Sequence, residues 1–232
     1  MSEIINIASK FDWSPLWISL KTGVVATIIC FFLGIYTARK VMKLKPAARA
    51  VVNGILTLPM VLAPTVAGFF LLLIFSLKRP FGQFLYEELN IQVVQTWAGC
   101  VIAASVISFP LMYQNARAAF ELLDSDIIYA ARTLGMSEGR IFRKVTLPSA
   151  GPGIASGTVL TFARAMGEYG ATSMLAGNIA GKTGTISQRI ANVIKDGDYL
   201  TAGVWVVIML IIAGGIMILI NLLTDKRRQA RW

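Results

Sequence analysis

Residues 202–223 read AGVWVVIMLIIAGGIMILINLL, a stretch without a single charge. Its length matches the roughly 20 apolar residues that an α-helix needs to cross a hydrocarbon core of about 30 Å. A helix in a soluble core keeps a polar stripe at a period of ~3.6 residues, and this stretch has none. Four more runs of comparable length and few charges lie near 16–38, 51–76, 93–116 and 149–175, beside the last one near 201–223. The chain of 232 residues is 56% hydrophobic, above the roughly 45–50% of soluble domains. Together these features predict an all-α membrane protein of about five transmembrane helices, in one domain covering residues 1–232.

The remaining composition removes several function classes. Histidine is absent, and with it the commonest metal ligand and general base. Cys30 and Cys100 stand alone inside apolar runs, so they read as small buried hydrophobes without a disulfide or metal framework. The opening MSEIINIASKFDWSPLW lacks the basic region, short apolar core and small-residue cleavage site of a secretory signal.

A net charge of +10 would suit a nucleic-acid partner, but the placement of the charges argues against one. Arg39, Lys40, Lys43, Lys45 and Arg49 follow the first span; Arg117, Arg132, Arg140, Arg143 and Lys144 follow the third; Lys226, Arg227, Arg228 and Arg231 follow the fifth. At or near the other side lies the smaller set, Lys10, Lys21, Lys78, Arg79, Lys182, Arg189 and Lys195. By the positive-inside rule the N-terminus is expected outside and the C-terminus in the cytoplasm, as an odd number of spans requires. The lipid bilayer accounts for the basic excess, and no nucleic acid is needed.

The spans differ in character. The fifth is expected to face lipid. The fourth, SAGPGIASGTVLTFARAMGEYGATSML, is rich in small residues that allow close helix approach, as in Gly153-xxx-Gly157, and that can line a cavity. In the second, Pro59 and Pro64 each remove a backbone donor and are expected to kink or loosen the helix. Their freed carbonyls either face a translocation path or are re-satisfied by neighbouring helices.

Between spans three and four, segment 117–148 is too polar to cross and too regular to be unstructured. Ser125 or Asp126 is expected to cap a short helix, IIYAARTL, with Gly135 ending it in the left-handed conformation. Ser137 is expected to cap a second helix, EGRIFRKV. There Ile141, Phe142 and Val145 form an apolar face, Arg140, Arg143 and Lys144 a basic one, and Pro148 opens the next span.

Tyr129-Ala-Ala-Arg-Thr-Leu-Gly135, followed by Ile141 and Leu147-Pro148, resembles the EAA loop of ABC importer permeases. Tyr129 stands where that family carries Glu; the Ala pair, the Gly and the downstream residues keep the spacing. The resemblance implies a permease fold of the type I importers, with a coupling helix that docks into a separate cytoplasmic ATPase. It assigns that role to Tyr129, Ala130, Ala131, Leu134, Gly135 and Ile141. Two further stretches, LTLPMVLAPTVAG (56–68) and FARAMGEYGAT (162–172), are similar to the molybdate, tungstate and sulfate branch. PTVAGFFLLLIF followed by KRPFG looks closest to the molybdate permeases. That family implies two copies of the chain, two cytoplasmic ATPase subunits, an extracytoplasmic oxyanion-binding protein, and a bacterial or archaeal cytoplasmic (inner) membrane.

Ala176-GNIA-Gly181-Lys182-Thr183 fits a relaxed phosphate-loop pattern but lacks its first glycine and follows a membrane span instead of a buried strand. ATP hydrolysis is therefore expected on a partner, not on this chain, and no cofactor is expected here.

Arg164 and Glu168 stand four residues apart in the fourth span, about 6 Å along a helix axis, and can pair. Each intramembrane charge costs roughly 2.5–3.5 kcal/mol on insertion scales, so both should face protein or water. With Pro59, Pro64 and Thr65 they are the candidate lining of a pathway or gate at a two-chain interface. The alternative is an ion pair that only packs helices. An ion-gradient carrier would show internal repeats, which are not evident. A membrane enzyme would need clustered acids or a nucleophile dyad, and Glu168 is the lone acid well inside a span.

Overall fold

The computed structural model describes residues 12–229. Lys10, Arg231 and most of the segment read for a signal peptide lie outside them. Among the described residues the secondary structure is helical, with no β-strand.

Helix α1 (Ser14–Val41) begins after Asp12, whose carboxylate accepts from the Ser14 N–H and hydroxyl, both at 2.9 Å. It ends with Arg39 and Lys40, cations placed where the helix dipole favours them. α1 lies along α5 (Trp97–Glu121), and Gly34 permits the contact: a Cβ there would sit 2.8 Å from Met112 Cγ. Cys30 donates its thiol to the Ser105 carbonyl at 3.3 Å, and Cys100 reaches the Thr183 carbonyl at 3.5 Å. Both cysteines are free and buried, as expected of small packing residues.

The second span is two helices, α2 (Pro46–Val61) and α3 (Pro64–Phe75), bent by 108°. Pro59 sits inside α2 without ending it. Pro64 sets the bend. It opens α3 at the first turn, and the residue before it, Ala63, is forced out of the helical region to ψ 135°.

The fourth span is broken as well. α9 (Gly151–Met166) stops, and α10 (Gly170–Ala176) starts after three intervening residues. The expectation of one helix over 149–175 is therefore corrected, and the cause is Glu168. Its Oε1 accepts the Ala171 N–H at 2.7 Å, so the side chain satisfies a donor of a new helix start. By length and composition, α1, α5 and α12 (Tyr199–Gln229, through Ile218) can each cross a membrane. The bent pair α2–α3 makes a fourth crossing if counted as one. In α12 only 11% of the apolar window is buried within the chain, consistent with a lipid-facing helix.

The small-residue seam of the fourth span packs on α5. A Cβ on Gly153 would lie 2.6 Å from Ala119 Cβ, and one on Gly157 would lie 2.6 Å from Asn115 Cβ. Ala26, Ala104 and Ala165 then bring α1, α5 and α9 into one alanine contact. Two further helices occupy loops: α4 (Pro80–Leu89), ended by the left-handed Asn90, and α11 (Ile186–Lys195).

The segment between α5 and α9 forms a helical turn with its details shifted. α6 (Ser125–Thr133) is capped by Asp124, whose carboxylate accepts from the Asp126 N–H at 2.9 Å; neither Ser125 nor Asp126 is the cap. Gly135 ends the turn at φ 73° as expected. Ser137 holds the next cap position without a side-chain bond. The second helix is a single turn, α7 (Glu138–Ile141), which passes into a π turn over Phe142–Thr146 and then α8 (Leu147–Ser149). Pro148 thus lies in α8, before the start of α9.

Candidate functional site

The two chain breaks face each other. Gly170, at the start of α10, touches Pro64 and Thr65 at the start of α3; an added Cβ would lie 3.0 Å from Pro64 Cβ and from the Thr65 nitrogen. Further along, a Cβ on Gly68 would lie 2.6 Å from Ala171 Cα. α3 and α10 are therefore in backbone contact, which glycine alone allows at these positions. Ala67, Leu71, Ala171 and Leu175 complete an apolar cluster with Val93, Ala103 and Ile107.

Arg164 and Glu168 span the break in the fourth helix. Arg164 Nη1 lies 2.8 Å from Glu168 Oε2. The carboxylate is 1% exposed and the guanidinium side chain 33% exposed. Oε2 makes no aligned hydrogen bond, so its contact with Arg164 is an ion contact of imperfect geometry. The expected pair exists, but it crosses a helix end instead of lying along one helix face. Gly23 of α1 adjoins the same end through Met166.

Pro64, Thr65, Arg164 and Glu168 are thus brought to one region through Gly170. Pro59 lies in α2 before the bend.

The loop after α10 is tightly built around Gln188, a residue the sequence did not single out. Gln188, 1% exposed, donates to Ser173 Oγ at 3.1 Å and to the Gly177 carbonyl at 2.9 Å, and accepts from the Thr185 N–H at 3.0 Å. Thr185 and Gln188 form a capping box for α11, a signal visible in the sequence as Thr-x-x-Gln. The Ile186 N–H also donates to Ser19 of α1 at 2.8 Å, a contact no local signal reveals. The phosphate-loop look-alike occupies this same turn. Ile179 there accepts from the N–H groups of Lys182, Thr183 and Gly184, and no strand precedes it.

On the turn built by α6 and α7 the expected coupling residues divide into two faces. Ala131 and Ile141 are buried, while Tyr129, Ala130, Leu134 and Gly135 are exposed. Leu134 is 81% exposed at the tip, a large apolar side chain held out by the turn. Arg132 Nε donates to Glu138 Oε1 at 2.7 Å and ties the two helices together. That bond holds the Glu138 carboxyl below the ordinary range.

The chain matches the family model described as "Binding-protein-dependent transport system inner membrane component" over residues 30–228. It is 36% identical to a putative molybdenum transport system permease protein, YvgM, of Bacillus subtilis, over 89% of this chain and 90% of that one. It is 39% identical to the molybdenum transport system permease protein ModB of Escherichia coli K12, over 79% and 80%. The sulfate transport system permease protein CysT of Salmonella typhimurium is 30% identical over 100% and 87%. A bacterial ABC transporter involved in import of the acidic polysaccharide alginate shares the fold, with a TM-score of 0.80 at 13% identity, over 97% of this chain and 83% of that one. An inward-facing methionine ABC transporter, MetNI, does so at 0.67 and 18%, over 93% and 94%. The chain belongs to the family of inner membrane components of binding-protein-dependent transport systems, the permease subunits of ABC importers.

Proposed function

We propose that this permease carries molybdate. The observation behind a transport pathway is the meeting of two helix breaks, Leu62–Ala63 and Gly167–Tyr169, at Gly170 and Pro64. Irregular backbone at membrane depth is tolerated where it is buried in protein or lines a cavity. The choice of substrate rests on the molybdenum permeases among its relatives, with sulfate as the second reading because CysT is also similar.

Two copies of this single-domain chain enclose the path, with the N-terminus outside and the C-terminus in the cytoplasm. Two ATPase subunits hydrolyse ATP on the cytoplasmic face, and an oxyanion-binding protein delivers substrate outside. Tyr129, Ala130, Leu134 and Gly135 form the surface that meets the ATPase, and buried Ala131 and Ile141 hold that surface in shape; exposed Leu134 and Tyr129 supply apolar area for docking. Closure of the ATPase dimer draws the two turns together and opens the path outward, and hydrolysis returns it inward, a rigid-body alternation.

Pro64, Thr65, Arg164 and Glu168 line the gate, and Pro59 lies on its approach. Arg164 attracts the oxyanion, while the adjacent carboxylate weakens its hold so that release is fast.

The test is uptake of labelled molybdate into vesicles holding this chain, its ATPase and the binding protein, with and without ATP and excess sulfate. Uptake that needs ATP and resists sulfate supports the reading. ATP-driven uptake abolished by sulfate moves the substrate to sulfate, and uptake without ATP overturns the ATPase partnership.

A further inference from the structure

We propose that Phe142 is the positioning residue through which the cytoplasmic turn moves the membrane helices α1 and α5. The inference rests on the coupling role given above to residues 129–141. A docked turn changes the pathway only if its displacement reaches the spans, so the joint between turn and bundle matters as much as the docking surface.

Phe142 sits at that joint. Its ring lies under the guanidinium of Arg39, in the last turn of α1, with Cζ 3.9 Å from the ring centroid. The same ring meets Phe120, near the end of α5, edge-on at 5.8 Å and 64°. One side chain therefore touches the cytoplasmic ends of two long helices that pack on each other, on the buried cluster that includes Val41, Phe120 and Ala150.

Phe142 is also the first residue of the π turn, whose closing bond runs from the Leu147 N–H to the Phe142 carbonyl. Such turns cost regular helix geometry and recur at functional sites. Here the turn lies between exposed Leu134 and the start of α9. Its neighbour Ile141 is buried as well, but the ring contacts with α1 and α5 are those of Phe142. A cation over an aromatic face is attractive without being rigid, so the contact can follow a moving partner across a range of positions.

The experiment uses the full complex of permease, ATPase and binding protein in vesicles, and reads ATP hydrolysed per molybdate taken up. In Phe142→Ala the ATPase stays bound and hydrolysis continues, while that ratio rises roughly three- to thirtyfold. Phe142→Tyr keeps the ring and restores the ratio. Arg39→Gln leaves the ring packing alone and raises the ratio in the same direction, which decides the matter if Phe142→Ala does not reach the membrane. Unchanged ratios in Phe142→Ala and Arg39→Gln, or uptake and hydrolysis falling in proportion, overturn the inference and leave the coupling role standing. A wild-type chain that binds no ATPase overturns that role and this inference together.

Discussion

Gly68 and Ala171 hold two membrane half-helices at backbone contact: a Cβ on Gly68 would lie 2.6 Å from Ala171 Cα. The clashing atom is main chain and cannot swing aside, so relief would require α3 and α10 to separate. Gly68→Ala is expected to cost about 1–3 kcal/mol through overpacking. Gly54, inside α2, provides the opposite sign. Nothing lies within 4 Å of its added Cβ, so Gly54→Ala should stabilise by roughly 0.5–1 kcal/mol through helix propensity. Thermal unfolding of both variants in the same detergent checks the pair, and equal shifts would refute the backbone contact.

The Arg164–Glu168 contact predicts a graded series. Glu168→Gln keeps an acceptor for the Ala171 N–H but loses the charge facing Arg164, and should cost about 1–3 kcal/mol. Glu168→Ala also orphans that N–H at a buried helix start and should be worse. Because Arg164 is one-third exposed, water screens part of the effect at its end. Stability is read by unfolding midpoints and function by uptake. Unaltered uptake in Arg164→Lys and Glu168→Asp would leave the pair as a clamp across the helix break and remove its part in the gate.

The membrane class was legible because it depends on runs of composition, and a run such as 202–223 needs no tertiary information. The bend at Pro64 was half visible: the proline marks a lost donor, but Pro59 looks the same and leaves α2 intact. What separates them is Gly170 packed against Pro64 and Thr65, a contact more than a hundred positions away in sequence. The break at Gly167–Tyr169 was hidden for a related reason. Glu168 reads as the partner of Arg164 at helical spacing, and nothing local says that its other oxygen takes the Ala171 N–H. The cap of α6 falls to Asp124, one residue before the two polar candidates Ser125 and Asp126, because its carboxylate reaches the N–H two residues on. Where the signal was local and chemical, as with left-handed Gly135, sequence and structure agree.

Gln188 is expected to matter more than its loop position implies. Replacing it with Ala leaves the buried Thr185 N–H without its acceptor and the Gly177 carbonyl without its donor, and each orphaned group costs about 1–3 kcal/mol. Gln188→Glu keeps the acceptor for Thr185 and loses both donations, so it should fall between wild type and Ala. Hydrogen exchange at Thr185 separates the two variants: protection is lost in Gln188→Ala and kept in Gln188→Glu.

The Arg132–Glu138 bond gives the turn between α6 and α7 a pH dependence of known sign. The Glu138 carboxyl titrates below its ordinary value because the Arg132 Nε–H donates to it in the folded turn. A depressed acid stabilises above its unfolded pKa and loses that contribution as pH falls through the folded one. The turn should therefore be unaffected near neutrality and loosen in the acid range, below the ordinary carboxylate value of about 4.3. Both side chains are about half exposed, so the effect is confined to the turn and leaves the membrane helices unchanged. Following Glu138 by carboxyl NMR while lowering the pH gives its titration directly. Arg132→Gln should bring that titration back up to the ordinary range, and a midpoint identical in both proteins would show that the bond does not persist in solution.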